Sequence, residues 1–413
     1  MLKQYAFPDK PVLRWGFALW LLGILMTTRD AMLSMAIWGF YPAQAVCWGL
    51  IGLGGIVFLV ANIPNAKAIF TDRRFYFALF LTAVILLPAI MKRDWQLMYG
   101  SILIAALFGV LVNYFATLEQ VGKVYVWIMT FLSLYSLLAT YALRTLAHAG
   151  IVPLIEFTNP GGWTFLNFVF AYPQDYSIRN YGIFREPGVY QFFILLAMYL
   201  ANFRMSWKKV WHVWCLNGIF AVAIVSTFST GGVLEFLLLA IFLYFDKRLY
   251  RKKTARIAAL VAIVGVTAVL LIGSIRGATF FYEIVAMVHK WFSENESRSD
   301  RFGSVWVNLK FFLKNPAVGV SLREVLFGID NNTSASTILL AVLGLLGGGI
   351  NIAGWFALVW EKERHWIGNC ILTLILALSF NTCNIVTNPF FWLFPMMGIC
   401  QYWLPNIRLP KKK

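Results

Sequence analysis

The chain has 413 residues, of which 60% are hydrophobic, 17% aromatic and only 13% charged, and its mean hydropathy is +0.71. This composition excludes an ordinary soluble protein of this length and indicates a polytopic integral membrane protein of the all-α class. The formal net charge of +17 does not indicate a nucleic-acid partner, because the basic residues are spread over many loops. Membrane topology and attraction to anionic lipid headgroups account for that excess.

About twelve apolar runs are long enough to cross a hydrocarbon core of about 30 Å as helices. In chain order the predicted spans are 12–28, 43–62, 75–91, 95–115, 123–142, 188–203, 210–228, 232–246, 254–274, 335–359, 366–380 and 389–404. Lys10 and Arg14 precede the first run, which lacks a small-x-small cleavage site, so we expect it to be a retained signal anchor. Residues 1–413 are therefore predicted to form a single integral membrane domain.

The placement of lysine and arginine predicts the orientation of these spans. Most basic residues fall on one side if the amino terminus is cytoplasmic, so both termini are predicted to be cytoplasmic. Two long connections, 143–187 and 275–334, then lie on the periplasmic side, where we expect function to reside. The second contains a predicted amphipathic interfacial helix whose apolar face comprises Phe302, Val305, Trp306, Leu309, Phe312 and Leu313.

The segment from Asn180 to Gln191 is the most informative part of the chain, because it sets Arg185 and Glu186 directly before a proline and an apolar run. Pro187 suits the first position of a helix, where its missing N–H costs nothing, so a helix is predicted to begin there and to run to Phe203. The free N–H groups and the positive end of the helix dipole favour a bound anion, and a guanidinium adds a two-pronged donor for phosphate. The segment therefore predicts a phosphate-handling site.

Two further helix starts are predicted on the same face. Ser229 and Thr230 precede one span, and Asn331 and Asn332 precede another. Each start can be a simple helix cap, or all three can bind one anionic or hydroxyl-rich ligand. Glu235 lies about one turn inside its span, where a lone carboxylate needs an arginine partner or a hydrated cavity.

Metal and cofactor sites are not predicted. The cysteines are single and mostly fall inside apolar runs, and neither they nor the histidines show zinc-ligand spacing. The residues concerned are Cys47, Cys215, Cys370, Cys383, Cys400, His148, His212, His289 and His365.

The order of the motifs over roughly residues 175–350 resembles the O-antigen polymerase and O-antigen ligase superfamily. The resemblance rests on Tyr181-Gly-Ile-Phe-Arg-Glu-Pro-Gly188, Ser229-Thr-Gly-Gly232, Arg301-x4-Trp306, Asn315-Pro-Ala-Val-Gly319, Asn331-Asn332 and Leu343-Gly-Leu-Leu-Gly347. It implies a metal-independent membrane glycosyltransferase of the GT-C type in a bacterial inner membrane. It also implies that the enzyme acts at the periplasmic face on glycans linked to undecaprenyl diphosphate.

One difference between this chain and the family pattern bears on the choice between a polymerase and a ligase. The ligases carry a histidine just before the span that follows the second long loop, where this chain has Asn331 and Asn332. His289 lies in the same loop but some forty residues earlier, so the ligase role does not transfer to it. The departure favours a polymerase, which joins the growing glycan to the next lipid-linked repeat. A ligase and a lipid-linked glycan flippase or other transporter are the alternatives.

The resemblance and the charge pattern together assign roles to individual residues. Arg185, Arg298 and Arg301 are expected to stabilise the departing diphosphate, and Glu186 to accept the proton of the acceptor hydroxyl. Helix capping with an ion pair to Arg185 is the alternative role of Glu186. Expected substrate contacts are Arg179, Tyr181, Arg276, Ser229, Thr230, Glu235, Asn331 and Asn332. The expected partners are the lipid-linked oligosaccharide, membrane lipids and a regulator of chain length, and the expected reaction inverts the anomeric centre.

Overall fold

A computed structural model describes residues 11–28, 30–31, 40–62, 69–143, 145–146, 149–151, 153, 156–158, 163–166, 170–173, 179–253, 282, 285, 296–328, 332–381 and 384–404. The predicted span 254–274 and the predicted contacts Arg276 and Asn331 lie outside these residues. Arg298 and Arg301 lie within a described helix, but the positions of their side chains are not described.

The described part of the chain is predominantly α-helical, and a helix occupies every predicted span that falls within it. The helices are α1 (Pro11–Thr27), α2 (Phe40–Asn62), α3 (Arg73–Lys92), α4 (Leu97–Phe115), α5 (Leu118–Leu137), α6 (Pro187–Phe203), α7 (Val210–Ser226), α8 (Thr230–Asp246), α9 (Glu296–Lys314), α10 (Leu322–Phe327), α11 (Ala335–Val359), α12 (Trp366–Phe380) and α13 (Pro389–Gly398). Wider π-helical turns extend α5 and α13 over Leu138–Leu143 and Ile399–Trp403, and a short 3-10 turn covers Leu249–Arg251.

Among the described residues, five helical segments are long and apolar enough to cross a membrane: Pro42–Val60, Arg73–Lys92, Leu97–Phe115, Leu118–Leu143 and Ala335–Val359. The helices over Arg14–Thr27, Pro187–Phe203, Val210–Ser226 and Trp366–Phe380 are apolar but shorter. These lengths and compositions define a helical membrane protein. The total of twelve crossings and the GT-C arrangement stay predictions.

The first long connection contains a small sheet, which the all-α prediction did not include. Strands β1 (Glu156–Thr158), β2 (Trp163–Leu166) and β3 (Phe170–Pro173) pair antiparallel in the order β1-β2-β3, with Phe157 opposite Phe165 and Phe165 opposite Ala171. Short runs of aromatic residues and threonine favour strands, and the intervening Asn-Pro-Gly-Gly sequence favours a turn. The three strands were not predicted, because each is far shorter than an apolar run of membrane length.

Helices α1 to α8, and again α11 to α13, alternate in direction, so their ends form two polar layers. At one end, which we call the Arg185 end, the backbone N–H of Arg185 donates to the carbonyl of Asp30 at 3.1 Å, and that of Asn180 donates to Ser226 at 2.9 Å. At the opposite end, which we call the Arg74 end, Arg74 Nη1 donates to the carbonyl of Asn113 at 3.1 Å. The Arg185 end therefore holds the starts of α6, α8, α11 and α13.

Helix α6 lies at the centre of the bundle. Every residue from Pro187 to Ala201 is buried, and the helix packs against α5, α7, α8 and α12. Phe192 contacts the rings of Trp355, Phe380 and Phe391, which joins α6 to α11, α12 and α13. A helix that is apolar on all sides is expected in such a position. Its start, where Arg185 and Glu186 lie, therefore belongs to one of the most buried helices among the described residues.

Helix α11 is sharply broken at Gly344, which has φ of 61° and ψ of −162°. The break folds the two halves together, since a Cβ at Gly348 would lie 2.7 Å from the carbonyl carbon of Leu339. The segment 315–320 lies against the break. The N–H groups of Leu345 and Leu346 donate to the carbonyls of Pro316 and Ala317 at 2.8 and 3.3 Å, and that of Val320 donates to Ala341 at 2.8 Å.

These hydrogen bonds satisfy backbone groups that the break would otherwise leave exposed to an apolar environment. The two short motifs Asn315–Gly319 and Leu343–Gly347 are thus joined by backbone hydrogen bonds. The residues at the break, Leu343, Gly344 and Leu345, carry no charge.

Helix α9 is present where the amphipathic helix was predicted. Its polar residues Ser304 and Asn308 are buried against α11, whereas Trp306 and Leu313 on its apolar face are 62% and 70% exposed. An exposed apolar face suits contact with lipid. The location of α9 in a membrane interface stays a prediction.

Candidate functional site

Arg185 forms a buried ion pair that joins the end of α1 to the start of α6. Its Nε lies 3.3 Å from Oδ1 of Asp30, whose side chain is only 1% exposed, while the Arg185 side chain is 23% exposed. The backbones are also joined, since Arg185 N–H donates to the Asp30 carbonyl and Ala31 forms a β-bridge with Phe184. The ion pair therefore orients the guanidinium, and the backbone contacts hold the two segments together.

The connection between α12 and α13 completes this cluster. Asn388 Nδ2 donates to Oδ2 of Asp30 at 2.7 Å, and the Asn388 Oδ1 caps α13 by accepting the N–H of Phe390 at 3.0 Å. Arg185 Nη2 donates to the carbonyl of Asn384 at 3.3 Å. We call Asp30, Arg185, Glu186, Asn384 and Asn388 the Arg185 cluster.

Glu186 occupies the N-cap position of α6, but its side chain forms no capping hydrogen bond. The carboxylate is 49% exposed, and Oε1 lies 3.8 Å from Nη1 of Arg185. The helix begins at Pro187, as predicted. The alternative role predicted for Glu186 combined an ion pair to Arg185 with helix capping. The ion pair is present. The prediction of capping is wrong, because the exposed side chain forms no hydrogen bond to the start of the helix.

A hydrogen-bond network beneath the cluster makes the segment 180–186 rigid. Asn180 is fully buried and its Nδ2 donates to the hydroxyls of Ser136 and Ser226, each at 3.0 Å, while its Oδ1 accepts the N–H of Gly182 at 2.9 Å. Gly182 adopts φ of 58°, and the ring of Tyr190 lies 3.0 Å from where its Cβ would be. Glycine is required on both grounds.

Arg179 and Tyr181, two predicted substrate contacts, have structural positions here. Arg179 Nε and Nη2 donate to the carbonyls of Thr227 and Phe228 at 3.2 and 3.1 Å, and so cap the end of α7. Tyr181 is buried, with 7% of its surface exposed. Arg179 thus supports the segment that leads to the Arg185 cluster, and the substrate contacts of Arg179 and Tyr181 stay predictions.

The start of α8 approaches α6. Ser229 is buried at the N-cap position without a side-chain capping bond, and Thr230 begins the helix. A Cβ at Gly232 would overlap the side chain of Gln191, so the first turns of the two helices are in contact. Glu235 is 3% exposed one turn further along, and the arginine partner or hydrated cavity predicted for it stays a prediction.

Asn332 is engaged by α9. Its amide forms a reciprocal pair with Asn308, with distances of 2.9 and 2.8 Å, and Asn308 Nδ2 also donates to Thr337 at 2.9 Å. The start of α11 is capped from α12, since the Asn381 Oδ1 accepts the N–H of Ser336 at 3.3 Å and the hydroxyl of Ser334 at 2.9 Å. Asn332 therefore attaches the helix that carries Arg298 and Arg301 to the Arg185 end.

The three predicted helix starts share one end of the bundle. Asn381 and Asn384 belong to the same short connection, so α11 and α6 are joined through it, and Gln191 joins α6 to α8. The formal charges of Arg185, Asp30 and Glu186 sum to −1. Arg185 alone therefore does not attract an anion to the cluster, and further cations are needed for that purpose.

Sequence reasoning missed Asp30, Asn384 and Asn388. A signal existed in each case: a carboxylate directly after the first apolar run, and an asparagine-rich stretch between the last two runs. Only the fold joins these segments, which are 358 positions apart in the case of Asn388 and Asp30.

A large apolar cavity lies elsewhere, among α2, α3 and α4. Among the described residues, no group of three histidine, cysteine, aspartate or glutamate side chains could hold a metal ion. No protein-family model matches this chain, and comparisons with curated proteins and with solved structures likewise found no match. The fold and the site together define a helical membrane protein with a polar, charge-paired cluster at one end.

Proposed function

We propose that this protein is a metal-independent membrane glycosyltransferase of the GT-C type that polymerises an O-antigen or a related bacterial surface polysaccharide. The observation that carries the proposal is the Arg185 cluster: an arginine oriented by a buried carboxylate, beside an exposed glutamate at the start of the central helix. A transferase needs a fixed cation and an accessible base side by side. A purely structural ion pair does not need an accessible base.

The reaction is a single displacement. The acceptor hydroxyl oxygen of the next lipid-linked repeat attacks the anomeric carbon, the bond from that carbon to the diphosphate oxygen breaks, and the hydroxyl proton passes to Glu186. Negative charge develops on the departing undecaprenyl diphosphate, and fixed donors at that position supply the largest catalytic effect. Attack opposite the leaving group inverts the anomeric centre.

In this proposal Arg185 acts together with Arg298 and Arg301 of α9. Adding these two cations alone to Arg185, Asp30 and Glu186 changes the formal sum from −1 to +1, whereas including the neighbouring Glu296 and Asp300 as well returns it to −1, so the two arginine side chains must lie closer to the substrate than the two carboxylates. The anchoring of α9 by Asn308 and Asn332 supports this arrangement, because Arg301 lies seven positions before Asn308, or about 10 Å along the helix. In this proposal the Arg185 end faces the periplasm, both termini are cytoplasmic, and a chain-length regulator binds from outside the site.

A gel of surface glycan tests the proposal. Deletion of the gene in its bacterial host is complemented with the wild type, with Arg185→Ala, or with Lys92→Ala as a matched control. Lys92 is an exposed cation at the end of α3, on the same end of the bundle. We expect lipid A-core bearing one repeat in the deletion strain and with Arg185→Ala, and a full ladder with Lys92→Ala. An unchanged ladder in the deletion strain would refute the proposal.

The broken helix α11 supports a second candidate, a lipid-linked glycan flippase or other transporter, because transporters place substrates at discontinuous helices. The same gel separates the candidates. Core without repeats and without lipid-linked polymer indicates failed export, whereas core alone with retained lipid-linked polymer indicates a ligase.

A further inference from the structure

We propose that the groove among α2, α3 and α4 binds one anionic phospholipid from the membrane leaflet at the Arg74 end. This inference is independent of the proposed transferase activity. The groove has a volume of about 540 Å³ and is lined almost entirely by apolar side chains, including Trp48, Phe70 and Leu111. Ligand sites in proteins have volumes of roughly 300 to 1,000 Å³, so the groove is large enough for a lipid chain.

The dimensions of the groove match one leaflet. Its lining on α2 extends from Trp48 to Leu59, eleven steps along a helix, or about 16 Å. Half of a hydrocarbon core of about 30 Å is about 15 Å. All three lining helices belong to segments long and apolar enough to span a membrane, so the groove opens toward lipid. An acyl chain therefore fits the groove along its length.

The position of the groove decides which leaflet supplies the lipid. The lining includes Ile69 just before α3, Phe75 in the first turn of α3 and Tyr114 at the end of α4, and these belong to the Arg74 end. The Arg185 cluster lies at the opposite end of the bundle. A lipid whose headgroup binds at the Arg185 end would enter the groove from the wrong side, so the occupant is not the proposed lipid-linked donor.

Charge at the Arg74 end selects an anionic headgroup. Arg74 is buried and its charge is balanced, since Nη2 lies 2.6 Å from Oδ2 of Asp72 and its guanidinium lies 3.9 Å from the ring centroid of Tyr114. Arg73 is exposed at the first position of α3, two residues before the lining residue Phe75 and at the same end of the groove, so its charge is available to a phosphate.

The glycines of α2 provide a matched pair of variants. Gly52 lines the groove, Gly49 does not, and a Cβ at either position would meet no atom within 4 Å. Leucine at residue 52 therefore fills the groove without a clash, while leucine at residue 49 adds the same apolar surface outside it. Arg73→Gln removes the proposed headgroup contact and leaves the groove intact.

The test is native mass spectrometry of the full chain in detergent. The protein is titrated with phosphatidylglycerol or with phosphatidylcholine carrying the same acyl chains. We expect one tightly bound phosphatidylglycerol, with apparent affinity at least several-fold above that of phosphatidylcholine. Gly52→Leu should lower both affinities, Arg73→Gln should abolish the preference, and Gly49→Leu should change neither.

Three results would overturn the inference. They are equal affinity of the wild type for the two lipids, unchanged binding by Gly52→Leu, and a wild-type dimer that becomes monomeric in Gly52→Leu, which would assign the groove to a second copy of the chain. If Gly52→Leu fails to fold, the Arg73→Gln variant provides the test. The Arg73 side chain is exposed, so its loss should not affect folding and must still remove the preference for phosphatidylglycerol over phosphatidylcholine.

Discussion

Removal of the Asp30 carboxylate should damage both stability and activity, because this single group orients Arg185 and accepts the amide of Asn388. Asp30→Ala removes the buried carboxylate partner of the guanidinium and the acceptor of the Asn388 amide. Loss of one partner of a fully buried ion pair costs about 3 to 5 kcal/mol. Since the Arg185 side chain is 23% exposed and water can reach it, we expect the lower limit, about 3 kcal/mol.

A double-mutant cycle separates the ion pair from general damage. Asp30→Asn, Arg185→Gln and the double variant are compared by resistance to denaturant in detergent and by glycan length in the complemented deletion strain. If the pair is real, each single change weakens the protein and the double variant is less damaged than the sum. A coupling free energy of about 1 kcal/mol or more is expected for such contacting charges.

Additive effects, within about 0.5 kcal/mol, would refute the claim that Asp30 holds Arg185. In the activity arm, loss of a fixed donor to the leaving diphosphate should reduce polymerisation on the order of 10²- to 10³-fold. If the Asp30→Asn protein is destabilised but still produces glycan of normal length, the ion pair contributes only to stability. Arg185 would then not have the proposed catalytic role.

Glu186→Gln should lower polymerisation by about 10²- to 10⁴-fold if the carboxylate is the base, without altering thermal stability, because it is exposed and forms no cap. A full-length ladder from this variant would contradict that role. Asn308→Ala should shorten the glycan and cost about 1 to 3 kcal/mol, since it leaves the Asn332 amide unpaired, whereas the exposed Lys310→Ala on the same helix should have neither effect. Gly344→Ala should abolish correctly folded protein on size-exclusion chromatography, because φ is 61° and a Cβ would overlap Ala317. Gly349→Ala, where a Cβ meets no atom within 4 Å, should elute like the wild type, and equal profiles for the two variants would show that the break is not obligatory.

Much of the fold could be predicted from local sequence because membrane length and apolarity act on each segment separately. A run of about twenty apolar residues must satisfy its own backbone groups in lipid, and a helix does so without help from the rest of the chain. The start of α6 at Pro187 was predictable for a similar reason, since proline restricts the backbone locally. The strands of the first long connection were overlooked because they are short and depend on pairing with one another.

Local sequence is thus sufficient to assign the class of protein, the approximate helices and the position of Arg185 and Glu186 at the start of a helix. The contacts of those residues depend on how the helices pack. Asp30 and Asn388 meet at 2.7 Å although they are 358 positions apart, and Arg179 caps α7 through two hydrogen bonds that the sequence did not predict. The broken helix α11 also depends on a distant segment, because residues 315–320 supply the hydrogen bonds that its free backbone groups require. Charge balance and backbone satisfaction depend on neighbours in space, and only the packing of the helices brings those neighbours together.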